Sequence, residues 1–268
     1  MKHAYLIIAH NEFEVLKLLI SKLDDERNDI YVHIDKKVKT VPVLSTKKSR
    51  LHILDKRIDV RWGHVSQIET ELLLFETALA NAPYSYYHLI SGTHMPLKSQ
   101  DEIHEYFSRD EVSNMFVSLG KDIEYQETLK MRRINLFLRN YLSKRKWEAA
   151  LNQFLWKVLI RIQKVVGFEL NRGCDFLKAS NWVSLTECAV RLLVDRKMRI
   201  MHRYRFSFCG DEFFIPSELN DSPLAGTVEN RDDILFVEMG RSNPRTFKVS
   251  ELESLKQTGC LFARKFTI

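Results

Sequence analysis

Cysteine is scarce in this chain. Four occur in 268 residues, at Cys174, Cys188, Cys209 and Cys260, and none belongs to a Cys-x-x-Cys pair. Spacing this wide excludes a disulfide scaffold and predicts reduced thiols. Glycine and proline are few as well, nine and six residues, which excludes collagen-like and low-complexity chains. No apolar run approaches the roughly 18 residues that a membrane-crossing helix needs. The apolar stretch after Met1 is too short for a signal-peptide core and runs into His10-Asn11-Glu12 with no small-residue cleavage site, so a cytoplasmic protein is expected. The G-x-G-x-x-G, Walker A, G-x-S-x-G and H-E-x-x-H patterns are all missing. The nine histidines are scattered without metal-ligand spacing.

What remains is ordinary globular material, 45% hydrophobic and 28% charged, enough to build a sizeable core. The net charge of +6 is uneven. Between Lys130 and Lys164 stand ten basic residues and one acid, Glu148, so that segment carries +9 and the rest about −3. A block of this kind predicts an anionic partner near the segment rather than a generally basic protein.

Periodicity predicts strands over 4–9, 29–35, 51–54, 86–90 and 115–118, with a helix after the first strand whose apolar positions are Val15, Leu16, Leu18, Leu19 and Leu23, and another over 65–80. Ser99 and Glu102 form a capping box for a short helix, and Ser250 with Glu253 suggests another. Strands are also expected over 181–185 and 234–237, with Thr186 capping the helix after the first. The alternation predicts an α/β fold with an open, mostly parallel sheet covered by helices. Ligands of such sheets bind at the carboxyl ends of the strands, where His10, Asp35 and Ser91-Gly92 fall. No internal repeat or Pro/Gly-rich linker breaks the chain. A single domain over 1–268 is expected, with a nucleotide-binding half (1–126), a basic helical insertion (127–170) and an acceptor or catalytic half (171–268).

Seven segments, in order from residue 4 to 266, together resemble the core-2/I-branching β-1,6-N-acetylglucosaminyltransferases, glycosyltransferase family 14, which also holds peptide xylosyltransferases. They are Ala4-Tyr5-Leu6-Ile7-Ile8-Ala9-His10, Tyr31-Val32-His33-Ile34-Asp35-Lys36-Lys37, Arg61-Trp62-Gly63-His64-Val65-Ser66, and Tyr87-His88-Leu89-Ile90-Ser91-Gly92 with Pro96-Leu97-Lys98-Ser99. The others are the stretch from Ala179 to Thr186, Asp211-Glu212-Phe213-Phe214, and Leu261-Phe262-Ala263-Arg264-Lys265-Phe266. The last is the most specific. His94 stands where the family usually has Asp, and Ala179 where Gly is usual.

The resemblance implies a GT-A-type, Rossmann-like fold and inverting transfer of a sugar, most often N-acetylglucosamine, from a UDP-sugar to a glycan hydroxyl. It also implies that no metal is needed, which agrees with the lack of any Asp-x-Asp in the sequence. Carried over residue by residue, Glu212 is the catalytic base, with Asp211 as an orienting partner. Lys265 binds the donor diphosphate with Arg245 as its arginine counterpart; Arg241 and Arg264 compete for that place. Asp35 and His10 are further donor-binding candidates, and Glu127 and Trp182 are acceptor-binding candidates. Inverting transfer needs a base for the acceptor hydroxyl and cationic support for the departing diphosphate, and Arg and Lys supply the latter.

In the basic segment Leu151, Phe154, Leu155, Val158, Leu159, Ile162 and Val165 repeat at helical spacing, widened by Trp156 and Ile160. Such a helix either packs its stripe on the core with a solvated basic face or lies on a membrane surface beside a lipid-linked acceptor. The expected setting is surface polysaccharide synthesis at the inner membrane face. The rival reading is a non-catalytic glycan- or anionic-lipid-binding protein on a degenerate transferase fold. Nucleic acid is not an expected partner, because the aromatics lie on helices rather than on a basic strand surface.

Overall fold

The computed structural model describes residues 1–109, 114–116, 123–240 and 243–268. Twelve strands are described: β1 (His3–Ala9), β2 (Asn28–Ile34), β3 (Arg50–Ile53), β4 (Tyr86–Ser91), β5 (His94–Pro96), β6 (Asn114–Phe116), β7 (Ser184–Thr186), β8 (Val228–Asn230), β9 (Leu235–Val237), β10 (Phe247–Lys248), β11 (Phe262–Arg264) and β12 (Phe266–Thr267). The helices are α1 (Phe13–Leu23), α2 (Ser66–Asn81), α3 (Gln100–Phe107), α4 (Ile123–Met131), α5 (Lys146–Val165), α6 (Glu187–Asp195), α7 (Lys197–Arg203), α8 (Phe214–Asn220) and α9 (Leu252–Leu255).

The central sheet has the order β3-β2-β1-β4-β7-β6-β8. β3, β2, β1 and β4 are mutually parallel, and β7 runs antiparallel to both β4 and β6. The fold is therefore mixed α/β around a mostly parallel sheet, as the alternation predicts. β1 is apolar on both faces because helices cover both: Leu6 belongs to one buried cluster with α2 and α6, while Tyr5 and Ile7 belong to another with α1, α3 and the C-terminal strands. This is why it reads as a continuous hydrophobic run. A smaller sheet, β5-β11-β9, and the pair β10-β12 tie the C-terminus back to the end of β4.

Local signals behave as their chemistry requires. Ser99 and Glu102 close a full capping box on α3, and Thr186 caps α6. The expected box at Ser250 and Glu253 is not formed. Ser250 lies inside the 3₁₀ turn Val249–Glu251, and Glu251 accepts the Lys248 backbone N–H at 2.8 Å instead. The strand expected at 181–185 is shorter and shifted, because Ser180 Oγ accepts the Trp182 N–H at 3.1 Å and turns the chain just before it pairs with β4. Val117 and Ser118 of the expected fifth strand lie outside the described residues. The basic segment is not one helix: α4 ends at Met131 and α5 begins at Lys146. None of the described helices is long and apolar enough to cross a membrane.

Candidate active site

At the carboxyl ends of the parallel strands the chain turns sharply. The Asp35 N–H donates to the Ala9 carbonyl at 2.9 Å, and the Gly92 N–H to that of Ile8 at 2.9 Å. The second turn requires glycine, since a Cβ on Gly92 would sit 2.9 Å from that of Ala9. Asp35 is buried. Its carboxylate accepts the Lys37 backbone N–H at 2.8 Å and the Lys37 ammonium at 2.6 Å. The same ammonium reaches Asp59 at 3.1 Å. Asp35 thus organises Lys37 and keeps only its remaining lone pairs for a ligand. Lys37 was missed in the sequence as a site residue, although its place directly after a strand-ending acid is a usable signal.

The C-terminus enters from the other side. β11 pairs antiparallel with β5, and the Phe266 N–H donates to Thr93 at 2.9 Å. This brings Lys265 beside His10. Burial lowers the His10 pKa; Asp35 opposes that, while Lys37 and Lys265 push it further down. His10 is therefore a neutral imidazole at pH 7, able to donate from one nitrogen and accept at the other. Lys265 is half-buried and makes no ion pair among the described residues.

Arg264 and Arg245 differ in the same respect. Arg245 is held by two carboxylates, Glu238 at 2.8 Å and Glu251 at 2.6 Å. Its expected role as the arginine of the diphosphate site meets that obstacle: both guanidinium arms are already occupied. Arg264 has no carboxylate partner among the described residues, lies 5.1 Å over the Trp182 ring and has a buried, unbonded Nε. Burial lowers its pKa to about 10. Arg241 lies outside the described residues. Trp182 is covered by Arg264 on its face and by His94 at its edge, with ring centroids 5.1 Å apart, and it packs against both core clusters. It is a wall of the site with much of its ring already covered, rather than an open platform for a sugar. His94 itself is buried, and its Nδ1 accepts from the Ser91 N–H at 3.0 Å.

Glu212 closes a 3₁₀ turn, Gly210–Glu212, just before α8. Its carboxylate accepts from Lys130 at 3.0 Å and lies 3.5 Å from Lys178. Asp211 beside it is buried and accepts from Gln67 at 3.0 Å. Burial, helped by the charge of Glu212, pushes the Asp211 pKa up to about 7. Glu71 on α2 is fully buried with both carboxyl oxygens unbonded, and burial together with Asp211 drives its pKa well up. Sequence reasoning missed Glu71, yet its spacing from Ile68 and Phe75 places it on the apolar face of α2. Glu127, on α4, is engaged by Arg132 at 2.5 Å; its neighbour Gln126 accepts from Lys178 at 2.5 Å. α4 therefore joins the Glu212 group through Lys130 and Gln126.

One segment links the two groups. The Ala179 N–H donates to the Glu212 carbonyl at 2.9 Å, and three residues on, Trp182 lies under Arg264. A carboxylate braced by two lysines and a pair of cations free of carboxylates thus flank the stretch 179–182.

The family model described as Core-2/I-Branching enzyme matches residues 3–254. The chain belongs to the core-2/I-branching enzyme family. It is accordingly a glycosyltransferase, and a nucleotide-sugar donor and a glycan acceptor follow as its substrate classes. The search of curated proteins gave no match. Among solved structures, the crystal structure of mouse xyloside xylosyltransferase 1 in its apo form is similar over 98% of this chain and 96% of that one, with 10% identity and a TM-score of 0.39. That likeness is too distant to assign any property. In this core-2/I-branching enzyme Asp211 is buried beside the more exposed Glu212, and neither Arg264 nor Lys265 has a carboxylate partner among the described residues.

Proposed function

We propose that the protein is an inverting, metal-independent transferase that moves a sugar, N-acetylglucosamine first among candidates and xylose second, from a UDP-sugar to a hydroxyl of a glycan. Glu212 is the base. Lys130 and Lys178 hold its carboxyl group in place, and it accepts the hydroxyl proton as the new bond forms. Lys265 and Arg264 neutralise the charge that grows on the leaving diphosphate, while His10, Asp35 and Lys37 line the donor end. The observation that carries this reading is the segment 179–182, which holds the Glu212 turn at one end and packs under Arg264 at the other. The acceptor is read as a lipid-linked glycan, and the product as a surface polysaccharide made on the cytoplasmic side of the membrane.

Glu212→Gln keeps shape and hydrogen bonding but removes the proton acceptor. Turnover of UDP-N-acetylglucosamine should fall by about 10² to 10⁴-fold, the range for loss of a general base, while UDP binding by calorimetry stays near the wild-type value. Turnover at the wild-type rate would remove Glu212 from the role.

A further inference from the structure

The fold divides the ten basic residues of 130–164 into two sets. Lys130, Arg132, Arg133 and Arg139 each reach a carboxylate: Glu212 at 3.0 Å, Glu127 at 2.5 Å, Glu169 at 3.8 Å and Asp59 at 3.3 Å. Lys144, Arg145, Lys146, Lys157, Arg161 and Lys164 are all exposed and make no ion pair with any described residue. These six lie on α5 or immediately before it.

The orientation of α5 is the second observation. Its buried residues are Trp156, Ile160 and Gln163. Trp156 packs edge-on to Phe208 with ring centroids 5.6 Å apart, and its Nε1 donates to Asn135 at 2.9 Å. The opposite side faces water. It carries Trp147 (67% exposed), Leu151 (48%), Phe154 (62%), Val158 (40%), Ile162 (54%) and Val165 (82%). At about 100° per residue these six fall in one stripe roughly 80° wide, and Lys157, Arg161 and Lys164 run along one edge of it. Past the helix, Val166 and Phe168 extend the apolar surface.

A surface helix normally turns its apolar face inward. A contiguous outward stripe of large side chains marks a surface that is covered in use. Charge decides what covers it. A second copy of the chain would bring six unpaired cations against six more. A bilayer rich in anionic headgroups meets the cations with opposite charge and takes the stripe into its acyl boundary, the arrangement of an interfacial amphipathic helix. We infer that the outward stripe of α5 and its six unpaired cations form a docking surface for an anionic lipid bilayer. The helix that carries this surface packs its inner face, through Trp156, against Phe208 near the site. The Cys209 N–H, next to Phe208, donates to the Gly63 carbonyl at 2.9 Å, and the Glu212 N–H donates to Cys209 at 3.2 Å. Docking through the outward stripe of α5 therefore holds the Glu212 turn on the far side of the helix, one helix diameter (~10 Å) behind the membrane surface.

The full chain is tested by co-sedimentation with vesicles, without any sugar substrate, so that the result is independent of the transferase reading. Vesicles of phosphatidylglycerol mixed with phosphatidylcholine should bind it, vesicles of phosphatidylcholine alone should not, and added salt should weaken binding. Each cation near an anionic surface contributes about fivefold. The triple change Lys157→Glu, Arg161→Glu, Lys164→Glu should therefore weaken binding by at least about 100-fold. The pair Phe154→Glu, Val158→Glu should abolish binding and leave the circular dichroism spectrum and UDP-sugar hydrolysis unchanged. Equal binding to both vesicle types, no binding, or wild-type binding by the variants would overturn the inference. So would a wild-type dimer in sedimentation velocity that Phe154→Glu dissolves, because that would assign the stripe to a second copy.

Discussion

Two further carboxyl groups, Asp211 and Glu71, lie beside the candidate base Glu212, and of the three only Glu212 forms ion pairs with cations among the described residues. Asp211 and Glu71 have given up water without gaining an ion-pair partner, and the pull of Lys130 on Asp211 is outweighed by its burial and by Glu212, so burial favours their neutral forms. The consequence for stability has a definite sign. An acid whose pKa is raised on folding holds its proton more tightly in the native state. Its contribution is fully present below the ordinary carboxylate pKa and is lost as pH rises through the folded value, here about 7 for Asp211. Stability should therefore decline between about pH 4 and pH 7. Asp211→Asn keeps an acceptor for Gln67 and removes the ionisation, so it should raise the melting temperature at pH 8 and converge with wild type near pH 4. Each 1 kcal/mol is worth about 2–4 °C in a chain of this size, so a gain of several degrees is expected in thermal scans across pH. A melting temperature at pH 8 equal to or below that of wild type would show that the carboxyl stays charged and compensated.

At the scale of elements, the Glu212 turn depends on a glycine in a distant segment. Gly63 adopts φ +68°, and a Cβ there would lie 2.5 Å from the Phe208 ring and 3.3 Å from the Cys209 sulfur. Its carbonyl accepts the Cys209 N–H, so the two turns form one unit, which Trp62 completes by packing edge-on to Phe208. Gly63→Ala adds both left-handed strain and overpacking. It should cost about 1–3 kcal/mol and reduce activity more than its loss of stability explains. The checks are the denaturation midpoint and turnover measured on the folded fraction. An alanine variant with normal midpoint and turnover would mean that the turn adapts freely. The Arg61-Trp62-Gly63 motif is legible in the sequence, but its partner is not, because Phe208 is far along the chain and only the packing of α5 against the turn brings it in.

At the scale of the molecule, the donor end is assembled from four separate stretches: the ends of β1, β2 and β4, and the C-terminal strands. If Lys265 and Arg264 hold the diphosphate, UDP should raise the melting temperature by mass action, and should do so in excess chelator. Lys265→Ala and Arg264→Ala should each shrink that shift, whereas Arg245→Ala should leave it intact. A shift that appears only with added Mn²⁺, or one lost with Arg245 and kept without Arg264, would reverse this assignment.

Much of the fold was legible beforehand because its signals are local. The two-sided apolar run of β1, the capping box at Ser99 and the ordered motifs ending in Phe262-Ala263-Arg264-Lys265-Phe266 depend on neighbours within a few residues. The sequence by itself determined the alternation of strands and helices, the family, and the chemical types available to the site. Tertiary structure decided which of those groups are free. Arg245 looks as available as Arg264 in the sequence, yet folding gives one two carboxylates and the other an aromatic face. Lys130 reads as part of a basic block, yet it lies against Glu212. The helix α5 has apolar residues around most of its circumference, so its own periodicity cannot choose an inner side. The hydrogen bond from Trp156 to Asn135 and the Phe208 ring make that choice, because an indole N–H that is buried must find an acceptor, and only the folded chain puts one within reach.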